Sequence, residues 1–255
     1  MQEKLQLLLS INGQPYLMNA EYTRKPTFQE LLDQIPVYVI ESPDDPRIDD
    51  YLNNRHFAKA VDLHGAGKNQ RAYKQLIQAF ADDNNNCFAF HLLSILFRDC
   101  GQLGKALSLI NKAIAIMGDN VWPSMYIDRA RIYMSEGFDE LWLPDLLRAK
   151  ELDSSYPDTY FELAHYYTVH HEYEQANKML DFYLRLEPEC PFGWITKGYN
   201  ELALDHFPKA LKCADNALKY DELSSLPHLL KADIYEKMGK TSLAEDIRAV
   251  WNNEP

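Results

Sequence analysis

The sequence predicts an all-α array of repeated helix–turn–helix units behind a small N-terminal region of mixed α and β structure. Small and apolar residues recur about every 34 positions from Asn53 onward. Residues 157–190 carry Tyr160, Leu163, Ala164, Tyr167, Ala176, Leu180, Tyr183 and Pro188. One period on stand Trp194, Gly198, Ala210, Ala214 and Ala217, then Ala232, Tyr235, Gly239 and Ala244. Self-similarity at this period marks stacked helix pairs, none of which can bury its apolar face alone. A second observation is that the first fifty or so residues change from helical to alternating periodicity. A third is composition: 46% apolar and 25% charged residues suit a soluble protein with a sizeable core.

In chain order, Leu5, Leu7, Leu9 and Ile11 alternate up to Asn12-Gly13, a strong signal for a two-residue hairpin turn. The returning residues Tyr16, Met18 and Ala20 then face Leu9, Leu7 and Leu5 across the pair. Thr27 and Glu30 form a capping box for a short helix whose stripe is Phe28, Leu31, Leu32 and Ile35. Pro36 ends it, and residues 37–40 read as a third strand. Residues 42–46, with two prolines and two aspartates, are the expected linker. We read residues 1–46 as a region too small to be stable alone; it would pack as a cap on the first repeat. A separate recognition module is the other reading. Its element order resembles half of a ubiquitin-like fold, and no function is carried over from that.

Residues 47–255 form the array, with units at 53–86, 87–120, 123–156, 157–190, 191–224 and an incomplete 225–255. Val121 and Trp122 interrupt the register. Ala60, Ala130, Ala164, Gly198 and Ala232 fall where each first helix approaches its neighbour; Ala72, Ala106, Ala176, Ala210 and Ala244 do the same for the second helix. This combination of small and aromatic residues in register resembles the tetratricopeptide repeat family, over roughly four-fifths of the chain. The resemblance implies a right-handed α-α superhelix whose first helices line a concave groove. It therefore implies a non-enzymatic scaffold, an adaptor or chaperone, that binds a protein or peptide partner.

Carried onto this chain, the family's groove positions select Phe57, Phe88, His91, Ile95, Arg98, Ile127, Arg131, Phe161, His165, Ile195 and Tyr199 as peptide-binding residues. Aromatic or branched residues recur at the fifth position of most units, and His91 holds it in the second. Arg98 and Arg131 place positive charge in the groove, where a guanidinium grips a carboxylate in two-pronged fashion. Asp99 and Asp128 stand near enough in sequence to pair with them instead. The Lys and Asn set with which some members clamp chaperone C-termini is absent, since Phe57 and Val61 occupy its first positions. The alternative function is a regulatory or inhibitory subunit that holds a folded partner through the convex face or the N-terminal sheet.

Chemistry-bearing motifs are few. The sequence contains no GxxxxGK[ST], GxGxxG or GxSxG. His64-Gly65-Ala66-Gly67-Lys68 follows a predicted helix and reads as a turn. His165, His170, His171 and Glu172 cluster, but ligand pairs on a helix need i, i+4 spacing, so we expect no metal, no cofactor and no catalytic residues. A net charge of −12 argues against nucleic acid as partner. No apolar run is long enough to span a membrane, and the N-terminus lacks the pattern of a secretory leader. The four cysteines, Cys87, Cys100, Cys190 and Cys213, show no CxxC spacing and read as reduced packing thiols. A cytoplasmic location is expected. Trp142 and Pro144 depart from the repeat pattern, which points to altered stacking or exposed tryptophans near the middle of the array. No polar capping helix follows Leu243, Ile247, Val250 and Trp251, so self-association through this final helix is expected, unless a partner covers it or Glu245, Asp246 and Arg248 suffice.

Overall fold

The computed structural model describes residues 28–33, 35 and 37–251. The expected hairpin over residues 5–20 lies outside them. Helix α1 (Phe28–Asp33) and helix α2 (Pro46–Leu52) precede six helix pairs. The pairs are α3 (Arg55–Gly65) with α4 (Asn69–Asp82), α5 (Cys87–Asp99) with α6 (Leu103–Met117), and α7 (Pro123–Glu136) with α8 (Asp139–Leu152). They continue as α9 (Pro157–Val169) with α10 (Tyr173–Leu186), α11 (Pro191–Ala203) with α12 (Phe207–Tyr220), and α13 (Ser225–Lys237) with α14 (Thr241–Trp251). Each pair falls inside one predicted repeat.

Local chemistry sets the ends. Pro123, Pro157 and Pro191 open α7, α9 and α11, where a missing N–H costs nothing and the ring presets φ. Asn54 and Asn86 cap α3 and α5 with side-chain oxygens that accept from His56, Phe57 and Ala89 backbone N–H groups. Between the helices of every pair, one residue takes positive φ: Gly67, Gly101, Gly137, His171, Asp205 and Gly239, at 60° to 77°. The left-handed region suits glycine, whereas His171 and Asp205 occupy it against the steric preference of a side chain.

The chain divides within α8 into a first unit ending at Asp145 and a second from Leu146. In the first, Phe80, Phe90, Leu93, Phe97, Leu109 and Ile110 are buried between α4, α5 and α6. Phe80 and Phe90 meet at 4.6 Å between centroids. Each such side chain contributes about 1.5–3 kcal/mol of hydrophobic stabilisation. Ala60, Ala72, Ala106 and Ala130 are fully buried, and Ser94 fills the matching small site of the second repeat. Trp142 stands where the other repeats place alanine and is only 1% exposed. Of the two readings, altered stacking or an exposed ring, burial excludes the exposed ring at Trp142. Pro144 lies inside α8 rather than at its start.

The N-terminal segment also differs from expectation. Residues 37–40 are extended but form no strand among the described residues. Their hydrogen bonds go elsewhere: the Tyr38 N–H donates to Asn85 Oδ1 at 3.2 Å and the Ile40 N–H to the Ile116 carbonyl at 2.7 Å. Leu32, Ile35 and Ile40 are buried in the same core. Helix α1 packs on α6 of the second repeat, and α2 on α3 of the first and α5 of the second. The register slip has its explanation here. Val121 and Trp122 follow a 3-10 turn, Gly118–Asn120, after α6. Asn120 Nδ2 donates to the Ile40 carbonyl at 2.9 Å. A Cβ at Gly118 (φ 57°) would stand 2.7 Å from Val39 Cγ1.

In the second unit Tyr160, Tyr183 and Leu184 form one cluster and Leu202, Ala210, Ala214, Leu230 and Ile234 another. Gly198 is required by close approach: a Cβ there would meet Leu230 Cδ2 at 2.5 Å and Cys213 Cβ at 3.3 Å.

Candidate functional site

Within the first unit, α3, α5 and α7 pack in succession, so the first helices of three repeats present one row. Asp128 lies at its centre, 6% exposed. A buried carboxylate must be paired, and three side chains do this. His91 Nε2 is 2.8 Å from Asp128 Oδ2, while Arg98 Nη1 and Arg131 Nη1 donate to Oδ1 at 2.9 and 3.0 Å. Burial pushes the carboxyl up, but the His91 hydrogen bond and the Arg131 and Arg98 charges outweigh it and hold it at about 2. Arg98 also donates through Nε and Nη2 to Asp99 Oδ1 at 3.3 and 3.1 Å, on the exposed side.

The other predicted residues of this unit divide by burial. Phe57, Phe88 and Ile127 are 8%, 4% and 1% exposed, so they support the row from beneath. His91, Ile95, Arg98 and Arg131 are half-buried and reach its surface. Phe88 stacks between Phe57 at 6.2 Å and Trp122 at 4.6 Å, and Trp122 carries this aromatic line out to solvent at 41% exposure.

The second unit presents α9, α11 and α13 with different chemistry. Phe161 is half-buried against Tyr183 at 5.1 Å, and Ile195 is buried. His165 is half-exposed, with Nδ1 3.9 Å from Glu162 Oε2. Thr168 Oγ1 donates to Asn200 Oδ1 at 3.1 Å, and Asn200 is almost wholly buried. The Tyr199 hydroxyl donates to Asp233 Oδ2 at 3.3 Å, and burial together with that carboxylate pushes the phenol up to about 12. Arg248 Nη2 bridges Asp233 and Glu236 at 2.7 and 2.5 Å. Phe192 projects to solvent at 60% exposure. Sequence reasoning did not single out Phe192, although it stands at the second position of its repeat, a groove position in the family pattern.

The other two histidines of the predicted cluster lie at the turn between α9 and α10. His170 Nδ1 lies 2.8 Å from the Tyr166 carbonyl and His171 Nδ1 2.8 Å from the Tyr173 hydroxyl. Among the described residues no group of three or more His, Cys, Asp or Glu side chains is gathered as a metal would require. No helix of the described chain is long and apolar enough to cross a membrane.

No protein-family model matches the sequence, and no curated protein matches it significantly. Solved structures do match the fold. The Cut9-Hcn1 hetero-tetramer of APC/C aligns with TM-score 0.67 and 16% identity over 82% of this chain, which spans only 43% of that one. A tetratricopeptide repeat protein from Parabacteroides merdae aligns with TM-score 0.63 and 18% identity, over 82% of this chain and 81% of its own. YrrB, described as a TPR protein with an unusual peptide-binding site, aligns with TM-score 0.51 and 16% identity, over 71% and 95%. The architecture is the tetratricopeptide repeat fold.

Proposed function

We propose that this tetratricopeptide-repeat chain is a non-catalytic adaptor or chaperone that holds a segment of a partner protein along its first-helix row, with Arg98 and Arg131 receiving an acidic side chain or C-terminus. The observation that carries this reading is the Asp128 cluster. Two guanidinium groups converge on one buried carboxylate, and both side chains reach the surface of the row in a chain of net charge −12. The nearest further counter-ion of Arg98, Asp99, has a 36% exposed side chain. An exposed pair of that kind is worth about 0–1 kcal/mol, and a ligand carboxylate with two-pronged geometry competes with it. Ile95, Val61 and Trp122 supply the apolar contacts that segment recognition needs beside the charged ones. Peptide binding by YrrB and hetero-tetramer assembly by Cut9-Hcn1 support this reading by analogy of fold.

A random-peptide display selection against the intact chain tests it. Enriched sequences should pair an Asp, Glu or free C-terminus with an apolar anchor; enrichment of basic sequences, or none, would sink the assignment. Self-association belongs to the same proposal: Leu243 and Val250 on α14 are 42% and 65% exposed. Sedimentation of the chain before and after Val250→Glu checks it, with a loss of mass expected.

A further inference from the structure

A pocket of about 370 Å³ opens in the second unit between α11 and α12. That is within the ~300–1,000 Å³ range of small-ligand sites. Trp194, Lys197, Glu201, Lys209, Lys212 and Asn216 line it, with Cys213 at its floor. Trp194, Lys197 and Glu201 occupy a different stripe of α11 from Ile195 and Tyr199, so this site is separate from the first-helix row.

The charges of the pocket do not cancel internally. Glu201 is engaged by His206 Nδ1 at 2.7 Å and by Lys209 Nζ at 3.9 Å. Lys197 Nζ bonds Asp181 Oδ1 at 2.5 Å. Lys212 has no ion pair among the described residues, and the Asn216 amide has no hydrogen-bond partner among them. One carboxylate therefore faces several ammonium groups, and Lys212 has none of its own. Trp194 is fixed in place by its indole N–H, which donates to the Pro188 carbonyl at 2.9 Å. A held indole beside clustered lysines offers a stacking surface and a phosphate-sized positive site together.

We propose that this pocket binds a ligand that joins a planar ring to a phosphomonoester, directly or through a sugar, with the ring against Trp194 and the phosphoryl oxygens on Lys209, Lys212 and the Asn216 amide. Two sources share this chemistry: a free nucleoside monophosphate and a phosphotyrosine side chain of a partner. Burial pushes the Cys213 thiol up to about 11, so it stays protonated at neutral pH.

Calorimetric titration of the full chain with adenosine monophosphate, a phosphotyrosine peptide and inorganic phosphate decides the matter. Saturable binding of one ring phosphate, tighter than inorganic phosphate, is expected, and the tighter arm names the source. Lys209→Gln with Lys212→Gln should weaken it about tenfold, the loss expected for charge-assisted bonds. Trp194→Phe, with circular dichroism as the folding check, should narrow the advantage over inorganic phosphate. Absence of saturable binding in both ring-phosphate arms, or affinity unchanged by the lysine pair, overturns the proposal. So does equal binding of all three probes. None of these outcomes bears on Arg98 or Arg131, so failure here leaves the first-helix assignment standing.

Discussion

The two units build first-helix rows from the same repeat and equip them differently. At the sixth position the first unit has Asp128, buried and collecting His91, Arg98 and Arg131. In the second unit that position holds Glu162, also buried, with His165 Nδ1 3.9 Å away, and α9 is joined to α11 by an uncharged pair, Thr168 to Asn200. The turns differ in parallel. The first unit uses Gly67, Gly101 and Gly137 at positive φ, whereas two of three turns in the second use His171 and Asp205. The lesson is that the small-residue frame fixes helix spacing alone. The polar positions between helices are then open to carry either a charged cluster or a neutral seam.

Replacing the hub is expected to have the largest effect. Asp128→Ala leaves two guanidinium groups and an imidazole around an empty site, and should cost about 3 kcal/mol in urea unfolding. Thr168→Ala, which breaks the neutral seam, should cost about 1 kcal/mol. Equal costs would erase the distinction between the units.

Acid titration sharpens the same contrast. The Asp128 carboxyl is held at about 2 in the fold, below its ordinary 3.8. Its contribution is thus full above about pH 4 and is lost as pH falls through about 2, worth on the order of 2 kcal/mol. Asp128→Asn should flatten that part of the stability profile. A slope unchanged by the substitution would assign acid sensitivity elsewhere.

In the second unit, Gly198→Ala should cost about 2 kcal/mol by overpacking against the buried Leu230. The smallest expected effect is a gain. His171→Gly relieves a side chain at φ 61° and should stabilise by about 0.5–1 kcal/mol in thermal unfolding. A loss of stability would mean that the His171–Tyr173 hydrogen bond outweighs the backbone strain.

The repeat itself was legible because close helix packing tolerates only small residues. Ala60, Ala72, Ala106, Ala130, Ala164, Ala176, Ala210, Ala232 and Ala244 are all fully buried. The pairing of Arg98 and Arg131 with Asp128 and Asp99 was also open to sequence reasoning, which named those carboxylates as partners. Burial of the fifth-position residues was not. Phe57, Ile127 and Ile195 occupy groove positions by register, yet neighbouring side chains cover them, which no one-dimensional pattern encodes. Trp142 shows the converse failure: a bulky residue at a small site reads as a disturbance, while the structure buries it whole. Residues 37–40 read as a strand, but β-branched and aromatic residues favour a strand only in the context of a sheet, and none is formed there among the described residues. Here helix ends and the Asn85 side chain take the hydrogen bonds instead.

The most direct test of the central assignment is the affinity of a display-selected peptide for the wild-type chain and for Arg98→Gln with Arg131→Gln. Glutamine keeps an amide donor in reach of Asp128 while removing both charges, and circular dichroism with urea unfolding checks that the variant is folded. The account predicts that affinity falls about tenfold or more and loses most of its salt dependence. Unchanged affinity in the folded variant would contradict it and move recognition away from the Asp128 cluster.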